Sequence, residues 1–299
     1  MLSLHTNVAS LSAQNSLTRT QTSLSTSMTR LSTGYRINSA MDDAAGLQIA
    51  TRLKSQSSGM AVAMRNTQNS ISMLQTADGA LNEVTNILTR MKDLATQASD
   101  GSSSDDDKKA MDKEYNSLTD ELSNIFSNTK FGGTELLSTS ANGKLNAAAG
   151  ITFQIGADSS EKMTANFDTE LSAAGGVTDS ITTATTGFVS NAAGAPIAAS
   201  TGSILFTDAN TAIGSLNTAI DAVSTLRSKL GAVSNRLDHV YNNLSNISSN
   251  TQAATGRIMD VDFATESSSM TSNQMLMQAG TAMLKQTNSM SSMVMSLLQ

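Results

Sequence analysis

The sequence predicts a mainly α-helical protein, in which long, antiparallel, coiled-coil-like helices are combined with a small β-hairpin region in the middle of the chain. Two observations predict this class. Apolar residues recur at seven-residue spacing near both termini and in long internal stretches, which places them on one face of a helix. Aromatic residues make up only 3% of the 299 residues and proline occurs once, which suits helices that touch along narrow seams.

The first predicted helix covers residues 4–33, and its seam consists of leucines seven positions apart: Leu17, Leu24 and Leu31. Met28 lies at the intermediate position, and Gly34 is a residue type that commonly ends a helix. At the other end, Met270–Gln299 carries two adjacent apolar rows. The Leu276 row consists of Leu276, Met283, Met290 and Leu297, and the Met270 row consists of Met270, Met277, Leu284 and Leu298.

The terminal helices share a period and are similar in length, so we expect them to pair. A single partner helix covers only one apolar row. We expect the Leu276 row to face the N-terminal helix, which leaves the Met270 row for a second partner. The conformational entropy lost when about thirty residues become ordered costs more free energy than the burial of about eight apolar side chains provides. We therefore expect both termini to be loose until several partners cover them.

A second helix is predicted from Ser39 to about residue 99. Ser39 is the expected N-cap, with Asp42 completing a capping box three residues later and Asp43 adding charge in the first turn. The seam of this helix is again spaced in sevens: Leu74, Leu81 and Leu88, with Ala77, Val84, Met91 and Ala98 beside them.

Ser104 is the expected cap of a third helix, which ends near Asn128. The acidic run Asp105–Asp107 follows that cap at the positive end of the helix dipole. Because the run lacks the spacing of a calcium-binding loop, we expect it to stabilise the helix start and to bind no metal.

The middle of the chain changes period. Apolar and polar residues alternate in two short stretches that predict a β-hairpin: Ile151, Phe153 and Ile155, and Met163, Ala165 and Phe167. Residues 170–206 are rich in Ala, Thr, Ser and Gly, so we expect a surface insert. A long seamed helix resumes near Asp208 and reaches a second connector at Gly256, after which Asp262 caps the C-terminal helix.

Composition and motifs exclude several functions. The net charge of −6 disfavours nucleic acid as a partner, and no apolar run is long enough to span a membrane. The amino terminus lacks the pattern of a cleavable signal peptide. The chain has no cysteine, its two histidines, His5 and His239, lie in different segments, and no phosphate-binding or hydrolase motif occurs. We therefore expect no catalytic, cofactor-binding or metal-binding residues. A helical signalling rod is the main structural alternative, and electron microscopy distinguishes rods from filaments.

Three motifs resemble the signatures of bacterial flagellins, the subunits of the flagellar filament. Arg36–Arg52 reads RINSAMDDAAGLQIATR, Thr129–Leu137 reads TKFGGTELL, and Arg257–Glu266 with Gln278–Leu284 reads RIMDVDFATE and QAGTAML. The similarity covers about residues 4–168 and 207–299. The chain length and the opening residues, LSLHTN, resemble lateral-type flagellins.

The resemblance implies two domains, D0 and D1, each built from both halves of the chain. Residues 1–41 are the N-terminal part of D0 with its connector, and residues 255–299 are the second connector with the C-terminal part of D0. Residues 42–169 are the N-terminal part of D1, residues 207–254 are the C-terminal D1 helix, and residues 170–206 are a short variable surface insert. It also implies an extracellular homopolymer, exported without a cleavable signal peptide through a type III apparatus. The implied partners are further copies of the chain, an export chaperone, and the filament cap and hook–filament junction proteins.

The same resemblance implies recognition by the flagellin-sensing Toll-like receptor. Arg90 and Leu94 match the family's recognition pattern on one D1 helix, and Glu114 matches on the next helix. The neighbouring positions of this chain depart from the pattern. The seams expected to support polymerisation are those of the terminal helices: Leu17, Leu24, Leu31, Met270, Leu276, Met277, Met283, Leu284, Met290, Leu297 and Leu298.

Overall fold

The computed structural model describes residues 7–138, 143–172, 174–185 and 204–297. Within these residues the chain is mainly helical, with two small antiparallel sheets, which confirms the predicted fold class. The elements in order are α1 (Val8–Thr33), α2 (Ala44–Ala98), α3 (Asp105–Asn128), β1 (Lys130–Phe131), β2 (Thr134–Glu135), β3 (Ile151–Gln154), β4 (Lys162–Ala165), α4 (Asp168–Leu171), α5 (Val177–Ala184), α6 (Ile204–Met259) and α7 (Phe263–Leu297).

The chain divides into two compact units. Unit 1 combines the two ends of the chain, Met1–Ser57 and Ser248–Gln299, and unit 2 is the continuous segment Ser58–Ile247. The division falls inside α2 and inside α6, so each of these helices contributes residues to both units.

The core of unit 2 is built from the predicted helical seams. Side chains from α2, α3 and α6 lie together in one buried cluster. The seam residues of α2 are buried almost completely: Leu74, Ala77, Leu81, Val84, Leu88, Met91 and Ala98. Those of α6 that are buried in the same cluster are Leu216, Val223, Leu226, Leu230, Val233 and Leu237. The heptad spacing therefore identified the correct face of each long helix.

The predicted start of α2 is wrong by a few residues. Ser39 and Asp42 form a separate turn, in which the Asp42 carboxylate accepts hydrogen bonds from the Ser39 amide at 2.9 Å and from the Asn38 amide at 3.1 Å. The helix begins at Ala44, because Asp43 is the residue whose carboxylate accepts from the Gly46 amide, at 2.8 Å. Two acceptors within five residues made the cap ambiguous in the sequence.

The cap of α3 is as predicted. The Ser104 hydroxyl accepts from the Asp107 amide and the Asp107 carboxylate accepts from the Ser104 amide, both at 3.2 Å. The hydroxyl of Ser104 and then its amide hold the pKa of Asp107 below the ordinary value of an aspartate.

Because the pKa of Asp107 is lowered in the folded chain, its contribution to stability is complete above the ordinary carboxyl range and is lost as the pH falls through the lowered value. We expect the amides of the first turn of α3 to lose exchange protection several-fold between about pH 6 and about pH 3. Asp107→Asn cannot titrate and should lose less. Equal losses in both proteins, after correction for intrinsic exchange, would contradict this assignment.

The β region forms two hairpins. β1 and β2 are joined by Gly132 and Gly133, whose φ values of 58° and 84° suit a two-residue turn that residues with side chains rarely adopt. β3 pairs with β4 in the register Phe153 to Met163, and both of these side chains are buried. The alternating pattern in the sequence therefore predicted this second hairpin and its inward face.

The expected surface insert at residues 170–206 is wrong over its first half. Leu171 at the end of α4, and Val177, Ile181 and Ala184 on α5, are buried in the core cluster of unit 2. The Tyr115 hydroxyl donates a hydrogen bond to the Ala184 carbonyl at 2.7 Å, and burial raises the pKa of Tyr115. Residues 186–203 of the range lie outside the described residues.

Ile181→Ala tests whether α5 belongs to the core. The side chain of Ile181 is completely buried, so we expect its truncation to lower the free energy of unfolding by about 2–5 kcal/mol. Thr183→Ala, an exposed position two residues along the same helix, should change it by less than about 0.5 kcal/mol. Chemical denaturation measures both, and similar values for the two variants would contradict the packing described here.

Candidate functional site

The terminal helices α1 and α7 pack against each other as an antiparallel pair within unit 1. The Asn7 side chain donates to the Thr287 carbonyl at 3.4 Å near one end of the pair. Arg30 and Glu266 form an ion pair at 3.6 Å near the other end. The predicted pairing of the two ends of the chain is therefore present.

The two connectors that carry the signature motifs also meet. The Arg36 amide donates to the Met259 carbonyl at 2.6 Å, and the Val261 amide donates to the Gly34 carbonyl at 3.0 Å. The Arg36 guanidinium reaches the Ile258 carbonyl at 3.0 Å. Gly34 allows the turn out of α1, since its φ of 76° lies in the left-handed region. The backbone of one connector thus holds the other.

The row of α7 that faces α1 is the opposite of the one expected from the sequence. Met270, Met277 and Leu284 are half-buried in the pair, whereas Leu276, Met283 and Met290 are 58%, 63% and 55% exposed. The expectation that the Leu276 row packs on α1 is therefore wrong. The side chain of Leu297 and the whole of Leu298 lie outside what the structure describes.

Gly280 explains this choice of row. It belongs to the half-buried face, three residues after Met277 and four before Leu284, and a Cβ placed there would lie 3.2 Å from Cδ1 of Leu17. The absence of a side chain at Gly280 therefore lets α1 approach this face closely. The glycine was visible in the sequence as a small residue in line with the Met270 row, and it is the signal that could have identified the inner face.

On α1, the inner face contains the predicted leucines. Leu24 is buried and Leu17 and Leu31 are half-buried, whereas Met28, which was expected in the seam, is half exposed. The correct neighbour of Leu24 in the seam is Ser27, which is buried. A serine at that position gave no hydrophobic signal, which explains the error.

The helix pair leaves several large apolar side chains exposed, and we call this set of residues the outer surface. Its members come from both helices and are each at least half exposed: Val8, Leu11, Met28, Met275, Leu276, Met283 and Met290. Covering these seven side chains would stabilise the assembly by about 5–10 kcal/mol per chain, since each is about half of the way to burial. Sequence reasoning missed Val8 and Met275 as members of this surface.

Within the pair itself, burial is sparse. Leu24 and Ser27 are the buried residues of α1. Among residues 263–290 of α7, no side chain that the structure describes reaches the same degree of burial. By contrast, α2 buries a residue in almost every turn of its second half. The α1–α7 pair therefore has a small core for its length, and more of its large apolar side chains are at least half exposed than are buried.

A second cluster lies on unit 2, between α2 and α3. The Arg90 guanidinium donates two hydrogen bonds to Oε1 of Glu114, from Nε at 2.9 Å and from Nη2 at 2.6 Å. Both side chains are about half exposed. Leu94, the third predicted recognition residue, is only 3% exposed and belongs to the core cluster. The structure brings Arg90 and Glu114 together at the surface and does not place Leu94 beside them there.

The described residues offer little for catalysis. His239 is exposed on α6, and His5 lies outside the described residues. Over the ranges that the structure describes, no three acidic or histidine side chains are grouped closely enough to hold a metal ion. No helix in those ranges combines the length and apolar character needed to cross a bilayer.

Comparison with known proteins matches both ends of the chain to flagellin families. The family model for the bacterial flagellin N-terminal helical region matches residues 4–142, and that for the C-terminal helical region matches residues 213–298. Flagellin B of Vibrio cholerae serotype O1 is 49% identical over 160 residues, and polar flagellin F of Vibrio parahaemolyticus serotype O3:K6 is 51% identical over 160 residues. Each alignment covers 54% of this chain and 41% of the relative.

Among solved structures, the crystal structure of Bacillus cereus flagellin is 34% identical to the chain. That match covers 64% of this chain and 94% of the other, with a TM-score of 0.46.

Proposed function

Because this chain belongs to the bacterial flagellins, a family of structural proteins and not of enzymes, we propose that it is a subunit that polymerises into the extracellular filament of the bacterial flagellum. The two Vibrio relatives are matched over about two fifths of their length. One is named a flagellin and the other a polar flagellin. The proposal depends on a feature of this chain itself, the outer surface of the α1–α7 pair.

The outer surface supports polymerisation by its chemistry and its position. It contains seven large apolar side chains, each at least half exposed, and it lies on helices that bury little of themselves. A chain that carries such a surface gains stability when further copies cover it. If the contact joins different faces of neighbouring copies, its repetition produces an open helical polymer and not a closed dimer.

The methionines on α7 suit such a repeated contact. Met275, Met283 and Met290 have flexible side chains that adapt to gaps of irregular shape. Along a helical polymer, equivalent contacts recur in slightly different surroundings, so an adaptable side chain serves better than a rigid one. After Glu266, Lys285 is the only charged residue of the sequence. Neighbouring copies therefore bring few like charges together when they meet at this surface.

We propose that D0 comprises α1, α7 and their connectors, and that D1 comprises residues 42–169 and 207–254, which include most of unit 2. The domain boundaries at residues 41 and 255 lie inside unit 1. Export before assembly through a type III apparatus, with an export chaperone as a further partner, fits the same proposal. The filament cap and the hook–filament junction proteins are further partners in this proposal.

Electron microscopy of the purified chain under assembly conditions tests the function directly. We expect long filaments of uniform diameter. Discrete rods would favour a helical signalling protein instead, and particles without any regular assembly would contradict a polymerising subunit.

We infer a second role, as a ligand of the flagellin-sensing Toll-like receptor, from the paired side chains Arg90 and Glu114. Their ion pair is half exposed and lies between α2 and α3, where a protein partner can reach both charges. Hydrogen bonds to charged groups contribute about 1.5–3 kcal/mol each, and 1.4 kcal/mol corresponds to a tenfold change in affinity. Leu94 is buried, so we assign it to the support of α2 and not to contact with the receptor.

Arg90→Ala and Glu114→Ala should each weaken binding to the receptor ectodomain by at least about tenfold. Thr89→Ala, an exposed change next to Arg90, is the control and should leave binding within about twofold. Surface plasmon resonance with the unassembled chain measures all three. Unchanged binding in both charge variants would contradict the assignment of Arg90 and Glu114 to recognition.

A further inference from the structure

Of the 17 methionines of the chain, four are buried and five are at least half exposed within the part that the structure describes. Met60, Met91, Met111 and Met163 are buried in unit 2. A second group is exposed by at least half, namely Met28, Met41, Met275, Met283 and Met290. Three of these five lie on α7, in the outer surface. The chain has no cysteine, so thioethers are its sulfur groups.

An exposed thioether is open to a chemical change that a buried one resists. Hydrogen peroxide transfers one oxygen atom to the sulfur: an S–O bond forms, the O–O bond breaks, and the peroxide leaves as water. The sulfur loses two electrons and the peroxide gains them, so atoms and electrons balance without a further reactant. The product, methionine sulfoxide, is polar where the methionine was apolar, and it is reduced again by sulfoxide reductases.

We propose that Met275, Met283 and Met290 form an oxidation site that controls assembly, in which conversion to sulfoxide by peroxide prevents the unassembled chain from entering a polymer. This inference rests on the proposed function, because it assigns these side chains to the contact between copies. Each sulfoxide oxygen is a hydrogen-bond acceptor that would be buried against apolar neighbours without a donor, which opposes association. In a finished polymer the same sulfurs are covered, so assembled subunits resist oxidation.

The position of the three residues makes the effect specific to assembly. Met283 and Met290 belong to the Leu276 row, which stays exposed in the pair, and Met275, which precedes Leu276, is also exposed. Oxidation there leaves the core of unit 2 unchanged, since the methionines of that core are buried. The chain thus loses its ability to polymerise while unit 2 remains folded.

The test uses full-length chains in which Met28, the α1 methionine of the outer surface, and the other methionines of α7 are leucine: Met28, Met270, Met277, Met293 and Met295. The chain that carries only these leucine substitutions is called the parent, and it keeps Met275, Met283 and Met290. The test variant adds Met275→Leu, Met283→Leu and Met290→Leu, which preserves the apolar surface without an oxidisable sulfur. The matched control instead adds Met41→Leu, which removes a 96% exposed methionine that lies outside α7 and outside the outer surface.

Each unassembled chain is treated with hydrogen peroxide, the sulfoxides are located by peptide mass spectrometry, and elongation from filament seeds is followed by light scattering. We expect the three sites to oxidise at least tenfold faster than Met60 and Met91. Elongation should fall at least tenfold in the parent and in the control, and by less than twofold in the test variant. Treatment with methionine sulfoxide reductase should restore the parent.

Normal elongation of the parent with all three sites oxidised would overturn this inference and leave the proposed function intact. An equal loss in the test variant would also overturn it. Failure of the untreated parent and of the untreated native chain to elongate would instead contradict the proposed function. In that case the oxidation rates still test the inference. If Met275, Met283 and Met290 oxidise no faster than Met60 and Met91, the proposed oxidation site is wrong.

Discussion

Leu276→Asp combined with Met283→Asp should abolish filament formation while unit 2 stays folded and the chain stays soluble. Both side chains are more than half exposed on the outer surface, so two carboxylates cost little in the unassembled chain. On assembly each carboxylate would be buried against apolar neighbours, at a cost of at least a few kcal/mol. We expect the concentration needed for polymerisation to rise at least about a hundredfold, which corresponds to about 2.7 kcal/mol.

Gln274→Asp combined with Thr281→Asp is the matched control. These residues are polar, exposed, seven positions apart and on the same helix, so the variant has the same added charge without touching the outer surface. Sedimentation of polymer measures assembly, and circular dichroism monitors the folded state. Filaments of the first variant at the native concentration would contradict our assignment of the outer surface. So would an equal loss of assembly in the control.

The second large effect is a difference in stability between the two units of the unassembled chain. The α1–α7 pair orders 26 and 35 residues around few buried side chains, at a backbone entropy cost of about 1–2 kcal/mol per residue. Unit 2 orders its helices around a continuous core. We expect protease cleavage within α1 and α7 to be at least about a hundredfold faster than within unit 2, because local opening governs access.

Limited proteolysis of the unassembled chain, with fragments identified by mass spectrometry, provides the comparison. The same digestion of sedimented polymer is the control, and there the terminal helices should resist cleavage because neighbouring copies cover them. Terminal helices that resist cleavage in the dilute, unassembled chain as strongly as unit 2 would contradict this account of the pair.

Much of the fold followed from spacing alone. A heptad of leucines, Leu74, Leu81 and Leu88, marked the buried face of α2 because the row beside it, which contains Val84 and Met91, lies on the same face. The cap at Ser104 was equally clear, since it stands alone before an acidic first turn. Where one physical interaction dominated locally, the sequence was sufficient to predict the element and its orientation.

The errors arose where two local patterns were of similar strength. Adjacent rows on α7 differ by one residue, which is about 100° around the helix, and both are rich in Leu and Met. The choice between them depends on the close approach of Leu17 to Gly280, a tertiary contact. Likewise most residues of α5 are small or polar, so the spacing of Val177, Ile181 and Ala184 was obscured by a composition typical of loops.

The recognition residues illustrate a different limit. Matching a family pattern identified Arg90, Leu94 and Glu114, but a pattern does not distinguish a side chain at the surface from one that supports the surface. The structure makes that distinction, since Arg90 and Glu114 meet at 2.6 Å while Leu94 is packed in the core. The proposed receptor contact therefore involves two of the three residues.

The central claim is that copies of the chain cover the outer surface of α7, and the absence of cysteine allows a direct measurement of it. The Leu276→Cys variant has a single thiol, whose labelling rate is compared between the unassembled chain and the filament. We expect labelling of Leu276→Cys to slow at least a hundredfold on assembly. A thiol introduced by Gly101→Cys, at an exposed turn of unit 2, gives the labelling rate of an accessible thiol in the unassembled chain. An unchanged labelling rate of Leu276→Cys in filaments would contradict the account.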